Sequence, residues 1–325
     1  MIKVGIIGGS GYTAGELLRL LVHHPETTLD FVFSTTNAGK PLYEAHADLV
    51  GDTELKFTNT VNPDVDVLFL CLGHGRSRIF LEQHAFSSST RVIDLGNDFR
   101  LTADQHFQGR DFVYGLPELQ KSAIQKAQHI ANPGCFATAI QLGLLPLAKS
   151  SLLTDTVHVN ATTGSTGAGV MPGATTHFSW RDNNFSSYKI FDHQHLGEIH
   201  QSVQQLQPAH QEAIFFVPNR GNFSKGIYAT MYTKYDGTLA EAQKIYNDFY
   251  KDAAFTVMSE TPIYLKQVVN TNKCIIHLLV KDGMLLITSV IDNLIKGASG
   301  QAIHNMNLLF GLDEKTGLRL KSSGF

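Results

Sequence analysis

The sequence predicts an α/β protein of two domains: a doubly wound, mostly parallel sheet, then an α+β domain whose sheet is mainly antiparallel. Three observations carry this. An apolar strand, Ile2 to Ile7, runs into Gly8-Gly9-Ser10-Gly11-Tyr12-Thr13-Ala14 and then a helix, Glu16 to His23. Further apolar strands, Leu29–Phe33, Val65–Leu72 and Arg91–Leu95, each end in a polar loop, as strands do at the ligand-binding edge of such a sheet. After residue 156 the pattern changes to period-two alternation, Thr156–Thr163, which marks a half-buried strand of a different kind of sheet.

At 325 residues the chain has room for two domains, and its formal charge of -3 is spread without a basic stripe. Nucleic acid is therefore excluded as the expected partner, and a small molecule is expected instead. No segment reads as a membrane span or a secretory leader, so the cytoplasm is the expected compartment. Three cysteines, Cys71, Cys135 and Cys274, lack metal-ligand spacing and fit a reducing environment.

The first glycine loop has the Gly-x-Gly-x-x-Ala form of a dinucleotide fingerprint, placed between strand and helix as the motif requires. Gly8, Gly9, Ser10, Gly11, Tyr12 and Thr13 are its expected contacts, since glycine lets the backbone approach a pyrophosphate at a helix N-terminus. The second strand ends in Ser34-Thr35-Thr36 with Lys40 close behind, and no Asp or Glu stands there to hold ribose hydroxyls. NADP is accordingly favoured over NAD. The loop after Arg91–Leu95 carries Asn97 and Arg100, and the planar fork of Arg100 suits a phosphate or carboxylate. Residues 113–119 read as a turn.

The chain is arranged around Asn132-Pro133-Gly134-Cys135, a turn that feeds an unbroken helical run from Ala137 to Ala148. Cys135 falls at a helix start, where unpaired amide groups favour thiolate over thiol. Cys71 and Cys274 sit in apolar runs and read as core. Gly164-Ser165-Thr166-Gly167-Ala168-Gly169 lacks dinucleotide-fold context and reads as a pocket-shaping loop, with Gly164 and Ser165 assigned to the cofactor-binding set. His193 and His195 precede an amphipathic helix reaching about Leu206; their spacing is not that of a helical zinc pair, and no metal is expected. Either imidazole can face Cys135, with His193 slightly preferred. Glu198, Arg220 and Lys225 are candidate substrate contacts. The remaining elements are strands at Ile214–Pro218 and Gly226–Lys234, a helix at Thr238–Asp252, a hairpin around Asp282-Gly283, and a last helix, Gln301–Phe310, apolar on one side.

A dinucleotide site, a helix-start cysteine, imidazoles and an arginine together describe thiolate attack on an acyl phosphate and reduction of the thioester to an aldehyde. The segments GIIGGSGYTAGELLRLL, NAGKPL, VIDLGNDFRL, VYGLPEL, NPGCFATA, GSTGAG, HQHLGEI and DNLIKGASGQAIHNMN, spread over the whole chain, resemble those of the N-acetyl-gamma-glutamyl-phosphate reductases of arginine biosynthesis. That family is related to the aspartate-semialdehyde dehydrogenases. The resemblance implies a Rossmann-type NADPH-binding domain (1–134 with 293–325) and a catalytic, oligomerising domain (135–292). It further implies Cys135 as nucleophile, a histidine of the HxH pair as acid/base, a cofactor contact from Asn293, and a homo-oligomer, dimer or tetramer. The chain departs from the family's pattern at Thr35, where an Arg is frequent, and at HQHLGEI, where HRHTPEI is usual. Competing readings are the N-succinyl analogue as substrate, aspartate-semialdehyde dehydrogenase, a Cys/His acyltransferase without cofactor, and a silent dinucleotide sensor.

Overall fold

A computed structural model describes Met1–Gly324; Phe325, the last residue of the expected dinucleotide-binding domain, lies outside the described residues. The chain divides into two compact units, Met1–Pro133 with Ala298–Arg319, and Gly134–Gly297 with the stretch from Leu320.

The first unit is built on strands β1 (Ile2–Ile7), β2 (Thr27–Phe33), β3 (Phe57–Thr58), β4 (Val67–Leu70), β5 (Arg91–Asp94), β6 (His106–Phe107), β7 (Arg110–Tyr114) and β8 (His129–Ala131). They form one sheet in the order β3-β2-β1-β4-β5-β8-β7-β6, parallel throughout except for the short edge strand β6. The chain winds outward from β1 on one side and resumes with β4 on the other, so the switch point of this doubly wound sheet lies at the end of β1. Val4, Ile6 and Ile7 of β1 and all four residues of β4 are fully buried, as a parallel strand covered on both faces requires.

Helices α1 (Tyr12–Leu21), α2 (Ser77–Gln83) and α3 (Pro117–Lys126) make the connections. The helix Gly300–Leu309 returns to pack on α1 and α3. Every residue of this returning helix is buried, not one face only, because its polar side chains are paired inside: Asn305 Nδ2 donates to the Gly115 carbonyl at 2.9 Å, and Asn307 Nδ2 to the Thr316 carbonyl at 2.9 Å. Where a turn was expected at 113–119 the chain ends β7 and starts α3. Pro117 begins that helix instead of breaking the chain, since a first-turn position has no N–H bond to lose.

The second unit contains β9 (Val157–Thr163), β10 (Ser186–Ser187), β11 (Ile214–Arg220), β12 (Ile227–Lys234), β13 (Thr256–Ser259), β14 (Cys274–Lys281) and β15 (Met284–Ile291), in the order β10-β11-β9-β12-β15-β14-β13. Four of the six pairings are antiparallel. The α/β class with a mainly antiparallel second sheet is therefore borne out. Alternate residues of β9 face a layer made by α4 (Cys135–Lys149), α6 (His195–Leu206) and α7 (Leu239–Tyr250); the short helix α5 is Phe178–Arg181.

Helix α4 is the core of this unit, buried without interruption from Phe136 to Ala148. Pro146 lies inside it and cannot donate to the carbonyl of Leu142. That carbonyl instead accepts from the hydroxyl of Tyr250 on α7, while Tyr246 donates to the carbonyl of Gly143 at 2.5 Å. The two tyrosines thus fix α7 on α4 and satisfy the position the proline leaves open.

Candidate active site

Cys135 is the first residue of α4 and is half-buried. Gly134, the N-cap, is extended (φ −73°, ψ 150°) and offers no side-chain cap, so the first-turn amides keep their partial positive charge for an anion such as a thiolate. Space beside the cysteine is kept by Gly297, where a β-carbon would fall 2.7 Å from that of Cys135. The other thiols are unsuited to this role: burial pushes Cys71 well above the ordinary thiol range, and the buried Cys274 Sγ lies 3.4 Å from Ser289 Oγ.

Both imidazoles are buried, as is Glu198. His195 opens α6, and its ring lies against Gly134: a β-carbon on that glycine would stand 2.3 Å from His195 Nε2. One turn along α6, Glu198 Oε2 accepts the Gly134 N–H at 2.9 Å, and Oε1 is 3.9 Å from His195 Nε2. A single carboxylate therefore ties the histidine to the peptide preceding Cys135. Glu198 lies against the Gly134 backbone because its i,i+3 spacing puts it on the same helix face as His195.

His193 Nδ1 accepts the N–H of His195 at 3.2 Å, which leaves its Nε2 to carry the proton when the ring is neutral. Its ring sits among Phe136 and Phe216, both 5.4 Å away, and Tyr188 at 5.8 Å. The ring that adjoins Gly134 is that of His195.

Sequence reasoning missed Tyr188. Its phenol is pushed up to about 12, mainly by burial and then by the charge of Cys135, while Arg220 pulls it the other way. The Arg220 guanidinium lies over the Tyr188 ring at 4.6 Å. Arg220 is placed there because β11 runs two residues further than expected and ends at it. Lys225 Nζ donates to Asn270 Oδ1 at 3.1 Å. Asn293 joins loops: its Oδ1 accepts the Gly226 N–H at 2.6 Å and its Nδ2 donates to Thr166 Oγ1 at 3.1 Å. Gly164 and Ser165 belong to the same stitching, donating to the carbonyls of Gly226 and Phe223.

In the first unit, the glycine loop leaves β1 at the switch point. Gly8 has φ +77°, and a β-carbon on Gly9 would stand 2.3 Å from Val32 Cγ1. Gly11 caps α1 without a side-chain bond, and the first turn, with Tyr12 and Thr13, contains no acidic residue. Helix N-terminal amides left in this way suit a phosphate. The sequence had not flagged His46, whose buried Nε2 is 2.7 Å from the Gly9 carbonyl and holds the loop from behind. At the end of β2, Ser34 is buried with its Oγ 3.4 Å from Thr36 Oγ1, Thr35 is exposed, and Lys40 is exposed 3.8 Å from Glu44. Arg100 is buried, with donors on the carbonyls of Asn132 at 2.8 Å and Leu95 at 3.0 Å; it fastens the loop bearing the half-buried Asn97 to the segment after β8. Among the described residues no group of three or more His, Cys, Asp or Glu is arranged to hold a metal ion.

A doubly wound sheet with a glycine-rich turn at its switch point, and a second sheet layered by a helix that starts at a cysteine, match the domains of the semialdehyde dehydrogenases. The family described as "Semialdehyde dehydrogenase, NAD binding domain" matches residues 3–127, and "Semialdehyde dehydrogenase, dimerisation domain" matches 135–293. The chain is 63% identical over 325 residues, the full length of both, to the N-acetyl-gamma-glutamyl-phosphate reductase of Flavobacterium johnsoniae. It is 61% identical, again over both full lengths, to that of Christiangramia forsetii. The chain belongs to the N-acetyl-gamma-glutamyl-phosphate reductase family, as its motifs suggested. Among solved structures, aspartate semialdehyde dehydrogenase II of Vibrio cholerae has a TM-score of 0.71 at 15% identity, covering 96% of this chain and 98% of that one. The Candida albicans enzyme with NADP has a TM-score of 0.70 at 12% identity, covering 95% and 99%. These two show the shared fold.

Proposed function

We propose that the protein reduces N-acetyl-gamma-glutamyl phosphate to N-acetylglutamate 5-semialdehyde and phosphate, with NADPH as reductant. The observation that carries the proposal is Cys135 at the uncapped start of α4 with His195 and Glu198 gathered on the preceding peptide. Full-length relatives at 63% and 61% identity bear the name of this activity. They do not favour aspartate-semialdehyde dehydrogenase or a cofactor-independent acyltransferase.

The helix start stabilises the Cys135 thiolate, which attacks the γ-carbonyl carbon. The carbon–oxygen bond to phosphate breaks, phosphate leaves, and a thioester remains on Cys135. When bound, the reduced dinucleotide supplies the hydride that turns the thioester carbon tetrahedral, and expulsion of the thiolate releases the aldehyde. His195 holds the thiolate as an ion pair and handles the proton that the reaction consumes, with Glu198 orienting the ring. His193 backs His195 within its aromatic surround. Arg220 and Lys225 are assigned to the substrate's carboxylate and amide. The residues present fit the dinucleotide: the Gly8–Thr13 cradle receives its pyrophosphate, and the hydroxyls of Ser34, Thr35 and Thr36 with Lys40 receive the 2′-phosphate, no carboxylate standing at the end of β2. Gly164, Ser165 and Asn293 are assigned to its other end, and Asn97 and Arg100 to the substrate's phosphate side.

A homo-oligomer is proposed through the outer face of the second sheet, in the segment described as a dimerisation domain. There His158 stacks on Tyr232 at 4.9 Å, next to the exposed rings of Phe215 and Phe191. No described helix is long and apolar enough to cross a membrane. A cytoplasmic site of action is proposed because Cys135 must stay reduced to act as a nucleophile.

The test is phosphate-dependent reduction of NADP by N-acetyl- and N-succinyl-glutamate semialdehyde. Activity is expected in the wild type and a loss of at least about 10³-fold in Cys135→Ala. Phosphate-independent turnover, or a fully active Cys135→Ala, would overturn the proposal.

A further inference from the structure

Arg181 closes α5 and is 6% exposed. Its Nη1 donates to the Arg220 carbonyl at 2.7 Å and the Asn184 carbonyl at 3.3 Å. Its Nη2 donates to Ser186 Oγ at 3.0 Å and the Thr175 carbonyl at 3.4 Å. One guanidinium thus gathers the excursion between Thr175 and Ser186 and pins it to the end of β11. Ser186 is also the residue that pairs with Arg220 in the sheet, so β10, α5 and β11 meet on this fork.

Among the described residues neither Arg181 nor Arg220 meets a carboxylate, and the Nε of each is buried without a hydrogen-bond partner. Burial and then the neighbouring Arg220 both depress Arg181. Two guanidiniums side by side in a partly dry place are unfavourable until an anion joins them. Both terminal nitrogens of Arg181 are taken by backbone and hydroxyl acceptors, so the anion falls to Arg220, whose guanidinium lies on the Tyr188 ring. An Arg laid on an aromatic face keeps its planar edge open for bidentate binding.

We propose that Arg181 is a positioning residue: by holding the Arg220 carbonyl and the β10 edge, it presents the Arg220 guanidinium, stacked on Tyr188, to the α-carboxylate of the N-acylglutamyl substrate. This rests on the reaction proposed above. It makes specificity for an anionic acyl amino acid depend on a residue that itself binds none of it. Arg serves here where Lys cannot, because a single ammonium does not reach four acceptors spread over two strands and the loops on either side of α5.

The experiment is steady-state kinetics of the intact protein with N-acetylglutamate semialdehyde, and with the analogue whose α-carboxylate is a carboxamide, for Arg181→Gln, Arg181→Lys and Arg220→Gln. Losing a charge-assisted bidentate pair raises KM for the carboxylate substrate about 30-fold in Arg220→Gln, with kcat held within about 3-fold. Arg181→Gln is expected to raise KM about 10-fold and Arg181→Lys about 3-fold, and all three effects are smaller on the carboxamide, which keeps a neutral acceptor but loses the charge. Should Arg181→Gln fail to fold, Arg181→Lys decides. An Arg181 series with unchanged KM beside a weakened Arg220→Gln overturns the positioning role and leaves the carboxylate site standing. Equal effects on carboxylate and carboxamide overturn the carboxylate site itself. A wild type without phosphate-dependent activity points instead to failure of the proposed reaction.

Discussion

The imidazole of His195 occupies the place where a side chain on Gly134 would begin, with Nε2 2.3 Å from the would-be β-carbon. A glycine is therefore required there for packing, although its backbone is in an ordinary extended conformation that alanine can adopt. Gly134→Ala is expected to displace the ring and to lower kcat. His195→Asn should lose about 10²- to 10⁴-fold in kcat, the scale of a lost acid/base group. His193→Asn should lose less. Rapid-quench measurement of thioester formation in the three variants checks the order, and a larger loss at His193 would reverse the assignment of the two rings.

The glycine loop of the first unit allows packing and ligand approach to be separated. A methyl on Gly9 would collide with Val32 at 2.3 Å and crowd the Phe33 carbonyl at 3.3 Å, while one on Gly11 would meet nothing closer than the Gly8 carbonyl at 3.9 Å. Gly9→Ala should therefore destabilise the unit by about 1–3 kcal/mol, the usual cost of overpacking. Gly11→Ala should leave thermal stability unchanged and weaken NADPH binding by about 10-fold, because only a bound pyrophosphate comes close to that position. Differential scanning calorimetry and NADPH fluorescence titration distinguish the two.

Asp94 is fully buried at the end of β5, accepting from Ser77 Oγ at 2.6 Å and the Gly96 N–H at 3.0 Å, with Oδ2 unpartnered. Burial raises it from 3.8 to about 6, against the pull of those two donors and of Arg100. The folded state therefore holds this proton longer than the unfolded state does. Stability of the unit falls as pH rises from about 4 to 6, by about 3 kcal/mol in all, and the deficit is fully present above pH 6. Asp94→Asn keeps an acceptor for Ser77 and Gly96 and removes the buried charge. Its urea midpoint should exceed that of the wild type at pH 8, with the gap closing toward pH 4; a gap independent of pH would contradict the raised pKa.

Removing either tyrosine hydroxyl from the contact between α7 and α4 tests the role of Pro146. Tyr246→Phe leaves the Gly143 carbonyl with its ordinary helical donor from Leu147, so a loss of about 1 kcal/mol is expected. Tyr250→Phe orphans the Leu142 carbonyl, which Pro146 cannot serve, and should cost about 2–3 kcal/mol. Chemical denaturation of the two variants orders them.

Much of the fold could be read locally. The first strand, the glycine turn after it and the helix start at Cys135 are set by residues within a few positions of one another and appear where periodicity and turn chemistry placed them, whereas the first helix begins at Tyr12, inside the glycine motif, and not at Glu16. The errors fall where a local signal had two meanings. Pro117 served as a helix start, and the last helix, read as apolar on one side, is buried all round with polar residues paired inside.

By itself the sequence determined the fold class, the family and the cysteine that begins a helix, because backbone periodicity, glycine spacing and turn chemistry are properties of neighbours in the chain. Only the tertiary structure decided which imidazole adjoins Gly134, that Glu198 binds the nucleophile's own peptide, and that Arg181 braces Arg220. Those relationships join α4 to α6 and α5 to β11, and the register of packed elements depends on the summed contacts of a whole core, which no short window of residues contains.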